Sequence, residues 1–264
     1  MRPLVNFMNL ILNENMKIYR RLRTWIMLGF IVLLPPLISI GFYLGGGDNM
    51  SNWSMMMIES MVLFSLITIF TVVVAADIVA GEFTWGTIKL LLIRPWSRSM
   101  ILLSKFLSTL LFALFFTVVA FLVTLLANLL VFGYNSDTAI IAGMSNWEYV
   151  FQYYLFQFIS LILIVTFGFM MSSAFRSGGL AIGLSISLLF AGNLITSLFA
   201  MANKAWVKYV LFMHLDLTPY IEGKAGSIPN HPTTLGFSLS ILLAYFVLFV
   251  AVSWLVFRKR DITA

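Results

Sequence analysis

Six long apolar runs dominate this sequence and leave few folds open to it. Each holds about 20 or more predominantly apolar residues, the length that a helix needs to cross the hydrocarbon core of a bilayer. A helix also satisfies its own backbone hydrogen bonds where no water is available. We therefore predict six transmembrane helices, over approximately residues 24–44, 53–77, 100–132, 147–173, 178–201 and 235–257.

The composition agrees with a surface that faces lipid. Of the 264 residues, 61% are hydrophobic and only 10% are charged, whereas about a quarter of the residues of a soluble domain are charged. The chain has no cysteine, which excludes disulfides, thiolate metal sites and a cysteine nucleophile. We expect an all-α membrane protein with a single transmembrane domain over residues 1–264. The N-terminal stretch is not typical of a cleaved signal peptide.

The basic residues indicate the orientation of the spans. Thirteen of the 16 lysines and arginines lie in segments that fall on one face, and the other three are Lys204, Lys208 and Lys224. Cytoplasmic segments retain positive charge. We therefore predict that both termini are cytoplasmic, in a bacterial plasma membrane. The net charge of +6 then needs no nucleic-acid partner.

Residues 1–23 have the pattern of an amphipathic helix lying in the membrane interface. Apolar residues fall on one side of the helix and polar or basic ones on the other. A simple basic anchor for the first span is an equally good interpretation. The apolar side is predicted to consist of Leu4, Met8, Ile11, Ile18 and Leu22.

The outward segment 202–234 is the longest on its side and contains Pro219, Pro229 and Pro232. Prolines and glycines among apolar residues predict a structured but broken extracellular loop with short helices. His214 and His231, with Asp216 and Glu222, are the candidate metal ligands in this loop. We expect them to be solvated, and predict no metal site.

The cytoplasmic segment 78–98, between the second and third spans, is neither a tight turn nor a polar linker. Ile88, Leu91 and Leu92 recur at helical spacing, and Pro95 predicts the end of a short helix. Ser97 is then placed to cap the third span. By its residues alone, the short helix suits docking against another protein or resting on its own membrane.

A family resemblance favours docking. The run Glu82, Gly86-Thr87-Ile88-Lys89-Leu90-Leu91 and Arg94-Pro95-Trp96-Ser97-Arg98, with Lys105 beyond it, resembles the signature of ABC-2 type permeases. These are membrane subunits of ATP-binding cassette transporters, and the resemblance implies that the segment is a coupling helix that enters a groove on the nucleotide-binding subunit. The implied coupling residues are Glu82, Trp85, Gly86, Thr87, Lys89, Leu91, Leu92, Arg94, Pro95, Ser97 and Arg98.

The resemblance also implies a function and partners. The chain would be a non-catalytic permease that dimerises and uses a separate ATPase, since it has no P-loop of its own. ATP and Mg would bind to that partner, and this chain would hold no cofactor. Spans rich in phenylalanine and methionine suit export of an amphipathic or hydrophobic cargo, such as an antimicrobial or bacitracin-type peptide, an antibiotic or a lipid-like molecule. The alternative is an ATP-independent secondary transporter or channel.

Few ionisable side chains lie within the spans, where they are costly and often functional. Glu59 is near the outer end of the second span, and we expect it to be solvated or to face a cavity. Asp77 and Lys105, at inner ends, are expected to reach the headgroups. Gly179 and Gly183 suggest close helix packing. Hydrogen bonds between helices are expected from Asn128, Gln152, Gln157 and Asn193.

Overall fold

The computed structural model describes residues 2–47, 50–87, 96–134, 140–141, 143–202, 204–226, 228 and 231–259. The secondary structure of this part of the chain is helical, with no strand. Its α-helices are α1 (Arg2–Tyr19), α2 (Leu22–Leu44), α3 (Asn52–Asp77), α4 (Ala80–Thr84), α5 (Arg98–Phe132), α6 (Asn146–Ala174), α7 (Gly178–Ala202) and α8 (Leu235–Lys259). The all-α prediction is confirmed.

Five of these helices are long and apolar enough to cross a membrane: α2, α3, α5, α6 and α8. The sixth predicted span corresponds to α7, whose apolar run is shorter within the described residues, over Gly178–Gly192. The chain therefore has the architecture of a multi-pass membrane protein. The count of six spans and the direction of the termini stay predictions.

The helix α3 lies at the centre of the bundle, in contact with α5, α6 and α7. The main core contains Leu63 and Ile67 of α3, Phe112 and Phe116 of α5, and Leu161 of α6. Phe112 and Phe116 stack one turn apart, with ring centroids separated by 4.3 Å. Large side chains at helical spacing thus fill the space between the helices, as the apolar patterns require.

The helix α2 packs on α5 and α3 from the outside of the bundle. It remains helical through Pro35 and Pro36, two residues that have no backbone N–H to donate within a helix. Many of its large side chains are exposed, as expected for a helix whose outer face meets lipid.

The N-terminal helix α1 lies against α5. Leu10, Ile11 and Ile18 are buried, whereas Met8 is exposed and Leu22 begins the next helix. Two residues of the predicted apolar side, Ile11 and Ile18, thus pack inside the protein, and the placement of α1 in the membrane interface stays a prediction. Trp96 packs against Leu10 and Ile101, so the segment before α5 also contacts α1.

The short helix α4 turns the chain beneath α3. The Ser172 hydroxyl of α6 accepts hydrogen bonds from the backbone amides of Val79 and Ala80, both at 3.0 Å. These amides lie at a helix start, where the backbone has no partner within its own helix. The Thr84 hydroxyl accepts from the amide of Gly178 at 3.0 Å, which ties α4 to the start of α7.

In its described part, the segment 202–234 contains three 3-10 helices, Ala205–Tyr209, Leu211–His214 and Thr218–Tyr220. The prediction of short helices is confirmed. His214 is buried and not solvated: its Nε2 donates to the carbonyl of Lys208 at 2.8 Å, and its Nδ1 pairs with the Ser238 hydroxyl at 2.8 Å. Burial lowers the pKa of His214, against the opposing effect of the Lys208 hydrogen bond. Nδ1 thus holds the loop on α8, and Nε2 joins two of the 3-10 helices of the loop.

Candidate functional site

Four charged side chains form a closed ring where α1, α4 and α5 meet. Lys17 Nζ donates to Glu14 Oε1 at 2.8 Å and to Glu82 Oε1 at 2.9 Å. Lys105 Nζ donates to Glu14 Oε2 at 2.7 Å and to Glu82 Oε1 at 3.0 Å. Each acid therefore has two lysines and each lysine two acids. We call Glu14, Lys17, Glu82 and Lys105 the charge ring.

The charge ring is largely shielded from solvent. The side chains of Lys105 and Glu14 are 1% and 5% exposed, while that of Lys17 is 48% exposed. A buried ammonium group is tolerated only when it is paired and hydrogen-bonded. The expectation that Lys105 reaches the headgroups is therefore wrong, since the acids on α1 and α4 hold it inside the protein.

The ring changes the acidity of its members. Burial by itself raises the pKa of Glu82, but the charge of Lys105, the Thr87 hydroxyl and Lys17 outweigh it and lower the pKa from 4.5 to about 2. Burial lowers the pKa of Lys17, yet Glu14 and then Glu82 outweigh it and raise that pKa above 10.5. Lys17 and Glu82 thus stay charged across the physiological range.

The Gly-Thr pair of the predicted motif has a geometric role in the ring. Gly86 has a φ of +68°, a left-handed backbone conformation that glycine adopts with little strain. This turn directs the chain back, and the Thr87 hydroxyl donates to Glu82 Oε2. Glu82, Gly86 and Thr87 therefore form one local structure, in which the turn completes the hydrogen bonding of the acid.

A second ion pair lies next to the charge ring. Asp77 Oδ2 accepts from Arg23 Nη2 at 2.7 Å and from Arg21 Nη1, so the end of α3 is bound to the link between α1 and α2. The prediction that Asp77 reaches the headgroups is wrong, because its side chain is 11% exposed. A Cβ on Gly81 or Gly178 would lie 2.8 or 2.9 Å from Asp77 Oδ1. Only glycine leaves room for this carboxylate.

The two ion-pair groups line one cavity of about 350 Å³. Ile18, Val74 and Ile78 contribute apolar walls, and Trp85 lies at its edge. Trp85 is 76% exposed, and an exposed aromatic ring suits either a protein partner or the membrane interface. The cavity therefore combines fixed charges with an exposed aromatic ring.

The remaining predicted coupling residues divide into two groups. Ser97 caps α5 as expected, since its hydroxyl accepts from the amide of Met100 at 3.3 Å. Arg98 Nη1 donates to the carbonyl of Arg258 at 3.1 Å, which joins the start of α5 to the end of α8. Five others lie outside the described residues: Lys89, Leu91, Leu92, Arg94 and Pro95.

Glu14 is the member of the ring that the sequence reasoning missed. It lies four positions after Leu10 and four before Ile18, so it falls on the same helical face as these buried residues. An acid within an apolar stripe requires a cationic partner when the helix packs. That position was the signal, since Ile11 and Ile18 belong to the predicted apolar side and Glu14 lies one turn from each.

A second polar cluster lies inside the bundle, away from the ring. Glu59 is fully buried, which excludes the solvated alternative. Asn128 Nδ2 donates to Glu59 Oε2 at 2.6 Å, and the Ser39 hydroxyl contacts Glu59 Oε1. Helices α2, α3 and α5 thus meet at one carboxyl group, and the predicted interhelical hydrogen bond of Asn128 is confirmed.

Other helix contacts expected from the sequence are not found in the part of the chain that the structure describes. Gln152 bonds to Glu148 of its own helix, at 3.3 Å, and Gln157 likewise bonds to Tyr153. A Cβ on Gly183 would meet no atom within 4 Å, and one on Gly179 only Ser177 Oγ at 3.9 Å. Among the described residues of this chain, neither the interhelical bonds of the two glutamines nor close packing at the two glycines is found. The side chain of Asn193 lies outside the described part.

Comparison with known proteins places this chain in a family. A family model described as a protein of unknown function, DUF2705, matches residues 24–263. This chain belongs to the DUF2705 family. It is 31% identical to the uncharacterized protein YhcI of Bacillus subtilis (strain 168), over 97% of this chain and 99% of the relative. It is 29% identical to the uncharacterized membrane protein YdbK of the same organism, over 75% of this chain and 78% of the relative.

Proposed function

We propose that this DUF2705 protein is the permease subunit of an ATP-binding cassette exporter. The observation that carries the proposal is the charge ring, in which Glu82 of the predicted coupling segment binds Lys17 of α1 and Lys105 of α5. A segment that only connects two spans does not need such anchoring. A segment that transmits motion from a partner to the membrane helices needs to be bound to those helices.

The ring gives the segment a mechanical connection to two other helices. A partner that displaces α4 would separate buried opposite charges unless α1 and α5 moved with it. Leaving a buried charge unpaired costs about 3–5 kcal/mol, so the three helices would move as a unit. Trp85, exposed beside the ring, would contact the ATPase subunit, whose P-loop supplies the nucleotide site that this chain lacks.

The rest of the proposal follows the family resemblance. The permease would have six spans, both termini in the cytoplasm of a bacterial cell, and a second permease copy as its partner in the membrane. Its cargo would be amphipathic or hydrophobic, and bacitracin-type peptides are the first class to test. Hydrolysis of ATP by the separate subunit would drive export.

The test is co-purification with a P-loop ATPase encoded beside this gene, followed by ATP hydrolysis with and without a bacitracin-type peptide. We expect Glu82→Gln to abolish peptide-stimulated hydrolysis while the complex still assembles. Glu148→Gln, at the other end of the bundle, is the control and should keep stimulation. Normal stimulation in Glu82→Gln, or failure of any P-loop ATPase to associate, would contradict the proposal.

Glu59 favours a second candidate, an ATP-independent transporter. A fully buried carboxyl group within a span is a common element of ion-coupled transport. Transport by the purified chain alone in liposomes, driven by an ion gradient and lost in Glu59→Gln, would support this candidate. Absence of transport without the ATPase would exclude it.

A further inference from the structure

A second cavity, separate from the charge ring, opens between α5 and α8. It has a volume of about 360 Å³ and an almost wholly apolar lining. Phe106, Phe169 and Phe246 form its floor, with Phe106 lying 5.2 and 6.2 Å from the other two ring centroids. We call this cavity the α5–α8 groove.

The polar atoms at the mouth of the groove already have partners. Trp254 Nε1 donates to the Ser99 hydroxyl at 2.9 Å, and the Ser253 hydroxyl donates to the carbonyl of Phe249 at 2.7 Å. An occupant would therefore gain little from hydrogen bonding inside the groove. Its walls suit a hydrocarbon chain.

The side chains around the groove indicate where that chain comes from. Leu103 and Val247, which line the groove, are 48% and 57% exposed. In a bundle of helices long enough to cross a membrane, the exposed apolar surface is the one that contacts lipid. The groove runs along α8 from Phe246 to Trp254, a rise of eight residues or about 12 Å. The axis of a helix that crosses the membrane is roughly parallel to the acyl chains of the lipids.

Basic side chains lie at the end of the groove nearest the helix termini. Arg98 begins α5 and bonds to the carbonyl of Arg258, and Arg258 lies over the ring of Trp254, with its guanidinium carbon 5.0 Å from the centroid. Lys259 follows directly, and both Arg258 and Lys259 are exposed. Clusters of basic residues at a membrane surface attract anionic headgroups.

We propose that the α5–α8 groove binds one anionic phospholipid. An acyl chain lies over Phe106 and Phe246, and the headgroup phosphate contacts Arg258 and Lys259. Apart from Arg98, which bonds to the carbonyl of Arg258, the site lies outside the predicted ATPase-coupling segment, and the proposal does not depend on the function proposed above.

The first test is native mass spectrometry of the purified full chain with dioleoyl phosphatidylglycerol or dioleoyl phosphatidylcholine at equal concentration. We expect one retained phosphatidylglycerol and at least about fivefold weaker retention of phosphatidylcholine. The double variant Arg258→Gln, Lys259→Gln should weaken phosphatidylglycerol binding about tenfold, and Val250→Trp should fill the groove and weaken binding of both lipids.

Matched controls separate the site from the general surface. Arg176→Gln removes an exposed basic residue elsewhere, and Leu248→Trp adds an indole on the same helix outside the groove; both should bind phosphatidylglycerol like the wild type. Equal retention of the two lipids, or unchanged phosphatidylglycerol binding in the double variant or in Val250→Trp, would overturn the proposal.

A second measurement uses the wild-type chain, so it does not depend on the folding of any variant. Phosphatidylglycerol with a photoreactive group in its acyl chain is reconstituted with the protein and illuminated. We expect cross-links within residues 99–106 and 246–254. Cross-links confined to other helices, or equal labelling of the groove by the phosphatidylcholine analogue, would refute a specific site.

Discussion

Lys105 Nζ lies 2.7 Å from Glu14 Oε2, a contact between residues 91 positions apart that joins α5 to α1. Both side chains are buried, and Glu82 binds the same lysine from α4. A single ammonium group therefore connects α1, the predicted coupling segment and the long apolar helix α5. The predictions below test what that connection does.

Lys105→Met should destabilise the protein strongly. It leaves Glu14 buried with only the partly exposed Lys17 as a partner, and loss of one member of a buried pair costs about 3–5 kcal/mol. Thermal unfolding in detergent measures the effect. The double variant Glu14→Leu, Lys105→Met should lose less than the sum of the single variants, because it removes both charges. Lys224→Met, in the exposed pair with Glu222, is the control and should unfold like the wild type.

Acid should weaken the charge ring. The pKa of Glu82 is lowered from 4.5 to about 2, so the folded state holds its proton less tightly than the unfolded state. The stabilisation is therefore fully present above pH 4.5 and is lost as the pH falls towards 2. Thermal unfolding followed over this range should show a steeper loss in the wild type than in Glu82→Gln. Parallel curves would show that Glu82 is not responsible.

Gly178→Ala should destabilise the protein, and Gly183→Ala should not. The added Cβ at position 178 would lie 2.9 Å from Asp77 Oδ1, and that carboxylate cannot move freely because Arg21 and Arg23 hold it. We expect a cost of about 1–3 kcal/mol from this overpacking. At position 183 nothing lies within 4 Å, so alanine should be neutral or stabilise the helix by up to about 1 kcal/mol. Thermal unfolding of the two variants gives the comparison.

Glu59→Gln should be tolerated better than Glu59→Leu. Glutamine keeps an oxygen to accept from Asn128 Nδ2 and an amide that can pair with the Ser39 hydroxyl. Leucine removes the acceptor of one Asn128 Nδ2 hydrogen, although the amide keeps its bond to the Thr124 carbonyl at 2.8 Å. The Ser39 hydroxyl keeps only its longer contact with Asn128 Oδ1, at 3.4 Å. An unsatisfied buried group costs about 1–3 kcal/mol. Unfolding temperatures of both variants in the same detergent measure the difference. Equal stability of the two would mean that the hydrogen bonds of Glu59 do not hold α2 in place.

Part of the site could be read from the sequence because its signals are local. The Ser97 cap and the Gly86-Thr87 turn depend on residues a few positions apart, so their geometry follows from short-range rules. The partners of Glu82 could not be read in this way. Lys17 is 65 positions away, and which face of α1 is buried depends on where α5 packs.

The positions of Asp77 and Lys105 show the same limit. The hydropathy pattern puts Asp77 and Lys105 at the ends of spans, and a charged residue in such a position is expected to contact the lipid headgroups. The structure instead surrounds Asp77 with two arginines and Lys105 with two acids. Such pairing is a property of helix packing, and a hydropathy pattern contains no information about it.

The sequence by itself determined that this chain is helical and multi-pass, because long apolar runs in lipid must satisfy their own backbone hydrogen bonds. It also determined where the predicted coupling segment, residues 78–98, lies in the chain, between α3 and α5. The tertiary structure alone decided that Glu14 completes the charge ring, that Asp77 lies against Gly81 and Gly178, and that Glu59 is buried. Each of these depends on side chains from separate helices meeting at distances of a few ångströms, and only the packed bundle sets those distances.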